Sequence, residues 1–221
     1  MSDISTSNIE PSNDDFIRQY RFGALLQSAS FLLLTQTAHE YRWVDLSLPP
    51  TERGESFAQS SKFGEVPVLL DDAYTLCQSN AILQYLAQKT QKLCGTTQAD
   101  WLAIVECLAW EANRVGFSVP NLRFAMLWPH LSAQPQEVLA YLRRRVLVDL
   151  DTLDRALSKS EYLLPSGFSI ADISCAAYLF WLDQIDVDVA DYPQIARWLV
   201  AIRQQPNWSH PDEAMEGEGS Q

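Results

Sequence analysis

Basic residues, histidines and cysteines are scarce in this sequence, and each scarcity narrows what the chain can do. There are 16 lysines and arginines against 28 aspartates and glutamates, which gives a formal net charge of −12. An acidic field of this size repels nucleic-acid phosphates and anionic lipids, so we expect neither as a partner. An anionic small molecule would need local cationic side chains or backbone N–H groups. No apolar run approaches the roughly 20 residues that a membrane helix needs, so we expect a cytoplasmic protein.

The few cysteines and histidines are too scattered to form a metal-binding or redox motif. No two cysteines form a C-x-x-C pair, and none has metal-ligand spacing with a histidine. We therefore expect four reduced, mostly buried thiols and no bound metal. The four cysteines are Cys77, Cys94, Cys107 and Cys175.

Two polar ends enclose the part of the chain that should fold. Residues 1–15 and 209–221 are rich in serine and acidic residues and cannot bury enough apolar surface to order themselves, so we expect flexible tails. Residues 16–90 alternate between short strand-like and helix-like segments, 91–98 form a linker, and 99–208 are helical in pattern throughout. The predicted architecture is therefore an α/β domain followed by an all-α domain.

The alternating part predicts a mixed four-stranded sheet. β-favouring residues indicate the strands, and apolar residues at helical spacing indicate the helices that pack on them. The element order is that of a strand–helix–strand crossover followed by a hairpin and a last helix. Strands are predicted at 16–22, 41–46, 66–70 and 74–76, and helices at 28–38, 52–60 and 78–89.

The second part shows apolar residues three and four positions apart, which is typical of helices with one buried face. One of its segments, 170–182, is apolar almost all round and predicts a buried central helix. Ser169 lies just before this helix and Asp172 lies in its first turn, which is the spacing of a capping box. We assign both residues a structural role. Helices are predicted at 99–115, 136–157, 170–182 and 193–203.

Several of these segments resemble the glutathione transferase family. Residues 63–70 read FGEVPVLL and residues 76–83 read LCQSNAIL, which is similar to the family's N-terminal domain. The Ser169 capping box resembles that of the family's C-terminal domain, and 110–120, WEANRVGFSVP, is similar to a bacterial branch. The resemblance covers roughly residues 16–208. It implies a thioredoxin-like glutathione-binding domain followed by an all-helical domain.

The resemblance also implies where glutathione binds. Val66, before a cis Pro67, would pair with the cysteinyl backbone of glutathione in the manner of an added strand. Gln78 and Ser79 would lie at a helix N-terminus, where backbone N–H groups and the helix dipole favour the γ-glutamyl carboxylate. The alternative is that Ser79 only caps its helix, which needs no ligand.

Other positions follow from the same resemblance. Leu25, Trp110, Asn113 and Phe117 would line a pocket for a second, hydrophobic substrate, although helix packing alone also explains the last three. The family implies a homodimer, with the N-terminal domain of one subunit against the helical domain of the other. Glu65 would repel the glycine carboxylate of glutathione.

The sequence departs from the family where the catalytic side chain is expected. The serine, tyrosine or cysteine that stabilises the glutathione thiolate aligns with Ala24, which has no donor. Ser28 is the nearby candidate, or it caps the first helix, and the backbone N–H of Leu25 could also hold the sulfur. We expect a detoxifying transferase that conjugates glutathione to a small hydrophobic electrophile or uses it as a thiol cofactor. The alternatives are a non-catalytic binding protein for glutathione or a hydrophobic ligand, and a dimeric interaction scaffold.

Overall fold

The computed structural model describes residues 17–21, 41–45, 55–71, 74–130, 133–208 and 210, with the backbone alone for the first two segments and Ser56. The predicted helix at 28–38 lies outside the described residues. So do the two predicted flexible ends, apart from His210.

Four short strands form one mixed sheet, as predicted. The strands are β1 (Ile17–Arg21), β2 (Tyr41–Asp45), β3 (Val68–Asp71) and β4 (Tyr74–Cys77). Their order is β2-β1-β3-β4. Strand β1 is parallel to β2 and antiparallel to β3, and β4 returns antiparallel to β3. The parallel pair requires a crossover between β1 and β2, whereas β3 and β4 form a hairpin.

Helices α1 (Glu55–Ser60) and α2 (Ser79–Thr90) belong to the same part of the chain as the sheet. The buried face of α2 includes Ile82, Leu83 and Leu86. These side chains share one apolar cluster with Leu69 of β3 and with residues of the helical part. Helix α2 therefore lies at the junction of the sheet and the helices.

The helical part contains five α-helices among the described residues. Its second apolar cluster is built from residues such as Val119, Val146, Leu150 and Trp198, all fully buried. Two short 3₁₀ helices, at Leu179–Ile185 and Val189–Asp191, connect the last two α-helices. The helices are α3 (Gln98–Asn113), α4 (Val115–Leu127), α5 (Gln136–Leu157), α6 (Ile170–Ala176) and α7 (Pro193–Arg203).

Three details of the sequence interpretation were wrong. Helix α4 was missed, because Gly116 and Pro120 are residues that usually end a helix, yet the buried residues around them keep Pro120 inside it. The predicted helix at 170–182 ends at Ala176 and continues as a 3₁₀ helix, since a segment apolar on all sides offers no periodicity to fix its path. Three of the four free cysteines are half-buried, and only Cys175 is buried.

The first turn of α6 is buried and tied to its surroundings by one carboxylate. Asp172 Oδ2 accepts from the Ser169 N–H at 2.9 Å, and Oδ1 accepts from the Leu163 N–H at 2.8 Å and the Trp198 indole at 2.9 Å. The Ser169 hydroxyl accepts from the Ala171 N–H at 3.3 Å. Burial raises the pKa of Asp172 to about 6, while these hydrogen bonds act in the opposite direction. One side chain thus joins α6, α7 and the loop before α6.

No helix among the described residues is long and apolar enough to cross a lipid bilayer.

We expect Asp172→Asn to destabilise the fold by about 2–4 kcal/mol, because an amide nitrogen would face a buried N–H donor. For a chain of this size the melting temperature should fall by roughly 4–16 °C. Asp183→Asn, at an exposed carboxylate, is the matched control and should change the melting temperature little. A variant at position 172 as stable as the control would contradict the role given to this carboxylate.

Candidate functional site

The edge of the sheet where β3 begins and β4 ends carries the predicted ligand residues. The Val66–Pro67 peptide bond is cis and lies just before β3. Because Val68 pairs with Cys77, the residues before β3 and after β4 leave the sheet at the same edge. A side-chain hydrogen bond joins the two segments there: Gln78 Nε2 donates to Glu65 Oε2 at 2.9 Å.

Helix α2 begins at this edge without a side-chain cap. Gln78 occupies the capping position at φ 75° and makes no capping hydrogen bond, so Ser79 is the first helical residue and not the cap. The Gln78 carbonyl accepts from the N–H groups of Ala81 and Ile82 at 3.1 and 3.0 Å. The N–H groups of Ser79 and Asn80 come before this ladder, where a helix has no acceptors of its own. The arrangement favours an anion at the start of α2.

The loop that leads into Val66 is held by its own hydrogen bonds. The Ser61 hydroxyl donates to the Glu65 carbonyl at 2.7 Å. The Lys62 amine lies 5.3 Å from the centre of the Phe63 ring. The carboxylate of Glu65 receives its hydrogen bond from Gln78, which offsets part of its negative charge. Its predicted effect on a ligand carboxylate stays a prediction.

A partly buried polar junction, which was not predicted from the sequence, fixes the first turn of α2. Asn80 Nδ2 donates to Glu111 Oε2 at 2.8 Å and to the Leu108 carbonyl at 3.0 Å. Asn80 Oδ1 accepts from the Ser174 hydroxyl at 2.7 Å. Hydrogen bonds with α3 and α6 therefore hold the first turn of α2 beside Ser79. The available signal was a glutamate on the buried, apolar face of a predicted helix.

Glu111 is buried, with 6% of its surface exposed. Burial raises the pKa of its carboxyl group, while hydrogen bonds from Asn80 and Ser174 lower it. The Glu111 carboxyl group has room only because residue 116 is a glycine. A Cβ at that position would lie 2.0 Å from Glu111 Oε1. The junction between α3 and α4 is therefore shaped around this carboxyl group.

The predicted second-substrate residues do not form one group. Trp110 lines a cavity of about 250 Å³ between α3 and α5, together with Cys107 and Cys175. The Asn113 carbonyl accepts from Arg145 Nη2 at 2.8 Å, and the Arg145 guanidinium lies 5.8 Å from the centre of the Phe117 ring. The structure thus brings Asn113 and Phe117 together at Arg145 and leaves Trp110 facing α5.

The two thiols beside Trp110 are poor nucleophiles. Burial raises the pKa of Cys107 to about 11 and that of Cys175 well above its usual value. Both thiols therefore stay protonated at neutral pH, and the thiolate is the reactive form. Among the described residues, no group of three or more histidines, cysteines, aspartates or glutamates is placed to hold a metal ion.

Family models match both parts of the chain. Residues 21–88 match the model described as glutathione S-transferase, N-terminal domain, and residues 136–201 match the one described as glutathione S-transferase, C-terminal domain. The chain belongs to the glutathione transferase superfamily. The thioredoxin-like and helical domains expected from the sequence are those of this superfamily.

Relatives within this superfamily carry different names. Disulfide-bond oxidoreductase YfcG of Escherichia coli is 29% identical over 188 residues, which cover 79% of this chain and 84% of that protein. Elongation factor 1-gamma of Danio rerio is 27% identical over 164 residues, which cover 72% of this chain but 36% of that protein. A glutathione transferase family member from Pseudomonas fluorescens, solved with two glutathione bound, matches with a TM-score of 0.78 and 19% identity, over 93% of this chain and 95% of that chain. This structural likeness shows the fold alone.

The predicted catalytic loop lies outside the described residues. Ala24, Leu25 and Ser28 all fall there. Their assignments, as the position without a donor, a pocket wall and a candidate thiolate donor, stay predictions.

We expect Gly116→Ala to destabilise the protein by about 1–3 kcal/mol, because the added methyl group would displace the Glu111 carboxyl group. In a Glu111→Ala background the same change should cost less, since the carboxyl group is gone. Thermal or urea unfolding of the four proteins in this double-mutant cycle measures the coupling. Strictly additive losses would show that Gly116 is not there to make room for Glu111.

Proposed function

We propose that this chain binds glutathione along the edge formed by Val66–Pro67 and the start of α2. The observation that carries the proposal is the uncapped N-terminus of a 12-residue helix, joined to the segment before β3 by the hydrogen bond from Gln78 to Glu65. The N–H and C=O of Val66 suit the cysteinyl backbone of glutathione, as in strand addition. The N–H groups at Ser79 suit the γ-glutamyl carboxylate, and Gln78 flanks it. Glutathione is also the ligand bound in the Pseudomonas fluorescens family member, whose fold this chain shares.

The reaction we propose is transfer of glutathione to a small hydrophobic electrophile. The glutathione thiolate attacks an electrophilic carbon, a carbon–sulfur bond forms, and the leaving group departs with its electron pair. A free thiol has a pKa of about 8.5, so the protein must favour the thiolate. We assign that task to Ser28 or to the backbone N–H of Leu25. Asn113 and Phe117 are the described residues that we place nearest the electrophile.

A second candidate reaction is glutathione-dependent disulfide reduction, which the similarity to Escherichia coli YfcG favours. One glutathione thiolate attacks a disulfide, releases one thiol and leaves a mixed disulfide. A second glutathione then releases the other thiol and becomes half of glutathione disulfide. The chain has no C-x-x-C pair, so both reducing electrons come from glutathione. A non-catalytic binding protein and a dimeric interaction scaffold are the remaining alternatives.

We expect Ser79→Ala to weaken glutathione binding about 10- to 150-fold, because the variant loses a hydrogen bond from the Ser79 hydroxyl to the charged carboxylate, which contributes about 1.5–3 kcal/mol. Isothermal titration calorimetry on the wild type and the variant measures it. Gln88→Ala, at the other end of α2, is the matched control and should bind as the wild type does. Unaltered affinity in the Ser79 variant would remove Ser79 from the site.

Turnover is measured beside binding, with an aryl halide and with hydroxyethyl disulfide. Conjugation of the halide supports the transferase reaction, and reduction of the disulfide alone supports the second candidate. Binding with neither reaction supports the non-catalytic alternative. No binding at millimolar glutathione would overturn the proposed site.

We also propose that two copies of the chain pair, with α3 and α5 of one copy against the N-terminal domain of the other. On α3, Leu102 and Val105 are 60% and 37% exposed; on α5, Tyr141 and Val148 are 43% and 51% exposed. Exposed apolar side chains on helices suit an interface between subunits. The homodimer implied by the family resemblance would use this surface.

Leu102→Glu should convert the dimer to a monomer, because it places a charge on the apolar surface that the partner would cover. Sedimentation velocity or light scattering should then give half the mass of the wild type. Val200→Glu, at a valine that is 49% exposed on α7, is the control and should remain dimeric. A monomeric wild type would contradict the dimer directly.

A further inference from the structure

We propose that Glu111 is a positioning residue for the γ-glutamyl carboxylate of glutathione, acting through Asn80 from the helical domain. This inference rests on the glutathione site proposed above. It assigns the orientation of the site to a side chain that lies 32 residues beyond Ser79 and on a different domain.

The N-terminal domain does not fix the first turn of α2 by itself. Gln78 holds the capping position but does not cap, and its side chain is turned to Glu65. Asn80 is the second residue of the helix, adjacent to Ser79. Its side chain makes all three of its hydrogen bonds with the helical domain, to Leu108, Glu111 and Ser174. The direction in which the first N–H groups of α2 point therefore depends on that domain.

The carboxyl group of Glu111 is costly in this position. Burial of an ionisable group carries a desolvation penalty that an apolar side chain of similar size avoids. The chain also gives up any side chain at position 116, where a Cβ would lie 2.0 Å from Glu111 Oε1. The desolvation penalty and the loss of a side chain at position 116 both lower stability, so a stabilising role does not explain Glu111. The need for an acceptor that holds the Asn80 amide in one orientation does explain it.

The hydrogen-bond geometry sets what each substitution should do. A glutamine at position 111 keeps an oxygen that accepts from Asn80 Nδ2. A leucine at position 111 removes that acceptor and leaves the amide with the Leu108 carbonyl alone. The positioning role therefore predicts that Glu111→Gln retains the ligand affinity and Glu111→Leu loses it.

The test compares two ligands, S-hexylglutathione and S-hexyl-cysteinylglycine, which lacks the γ-glutamyl group. Calorimetric titration gives the Kd of each ligand for the wild type and the variants. We expect Glu111→Leu to weaken S-hexylglutathione about tenfold, which corresponds to one hydrogen bond of about 1.4 kcal/mol. Its Kd for S-hexyl-cysteinylglycine should stay within about twofold, since that ligand does not use the start of α2.

Two further proteins complete the design. Glu111→Gln should bind both ligands within about threefold of the wild type. Glu106→Leu, at an exposed glutamate on the same helix, should match the wild type with both ligands. If Glu111→Leu does not fold, Ser174→Ala removes the donor to Asn80 Oδ1 instead and should weaken S-hexylglutathione alone, by about threefold.

The outcomes distinguish a failure of the positioning role from a failure of the proposed glutathione site. A wild type that fails to bind S-hexylglutathione overturns the proposed function, and this inference with it. A wild type that binds, with equal weakening of both ligands in the Leu variant, shows a structural role only and overturns the positioning role. Unaltered S-hexylglutathione affinity in that variant, or a Gln variant as weak as the Leu variant, overturns it as well.

Discussion

The buried start of α6 is the constraint on which the rest of the structure depends. All seven residues of this helix are buried, so its first N–H groups must find partners inside the protein. The Ser169 hydroxyl accepts from the Ala171 N–H. Asp172 accepts from the Ser169 N–H just before the helix and also from the Trp198 indole of α7. Two residues further on, Ser174 donates to Asn80. The helix that organises the helical core thus also holds the first turn of α2.

We propose that the two domains share the glutathione site. The sheet edge presents the cis Val66–Pro67 bond, and the helical domain orients the start of α2 beside it. An anionic ligand meets a chain with a net charge of −12, so the attraction must act over short distances. Backbone N–H groups and a helix dipole provide such an attraction without any cationic side chain.

Much of the fold could be predicted from the sequence, because local patterns carry it. The bounds predicted for α5 and α7, 136–157 and 193–203, agree with the structure, since both helices are amphipathic and Pro193 marks a start. Helix α4 could not be predicted, because its stability comes from buried contacts around Pro120 and not from propensity. Hydrogen bonds between side chains far apart in the sequence could not be predicted either. Glu111 meets Asn80 across 31 positions, and no local pattern reports such a pair.

We propose that glutathione occupies the edge between Val66 and the start of α2, and an NMR titration of ¹⁵N-labelled protein with glutathione tests this most directly. We expect saturable shifts of the backbone amide signals of Val66, Ser79 and Asn80, with the amide of Val200 on α7 unchanged. Shifts confined to other parts of the chain, or no shifts at millimolar glutathione, would contradict it.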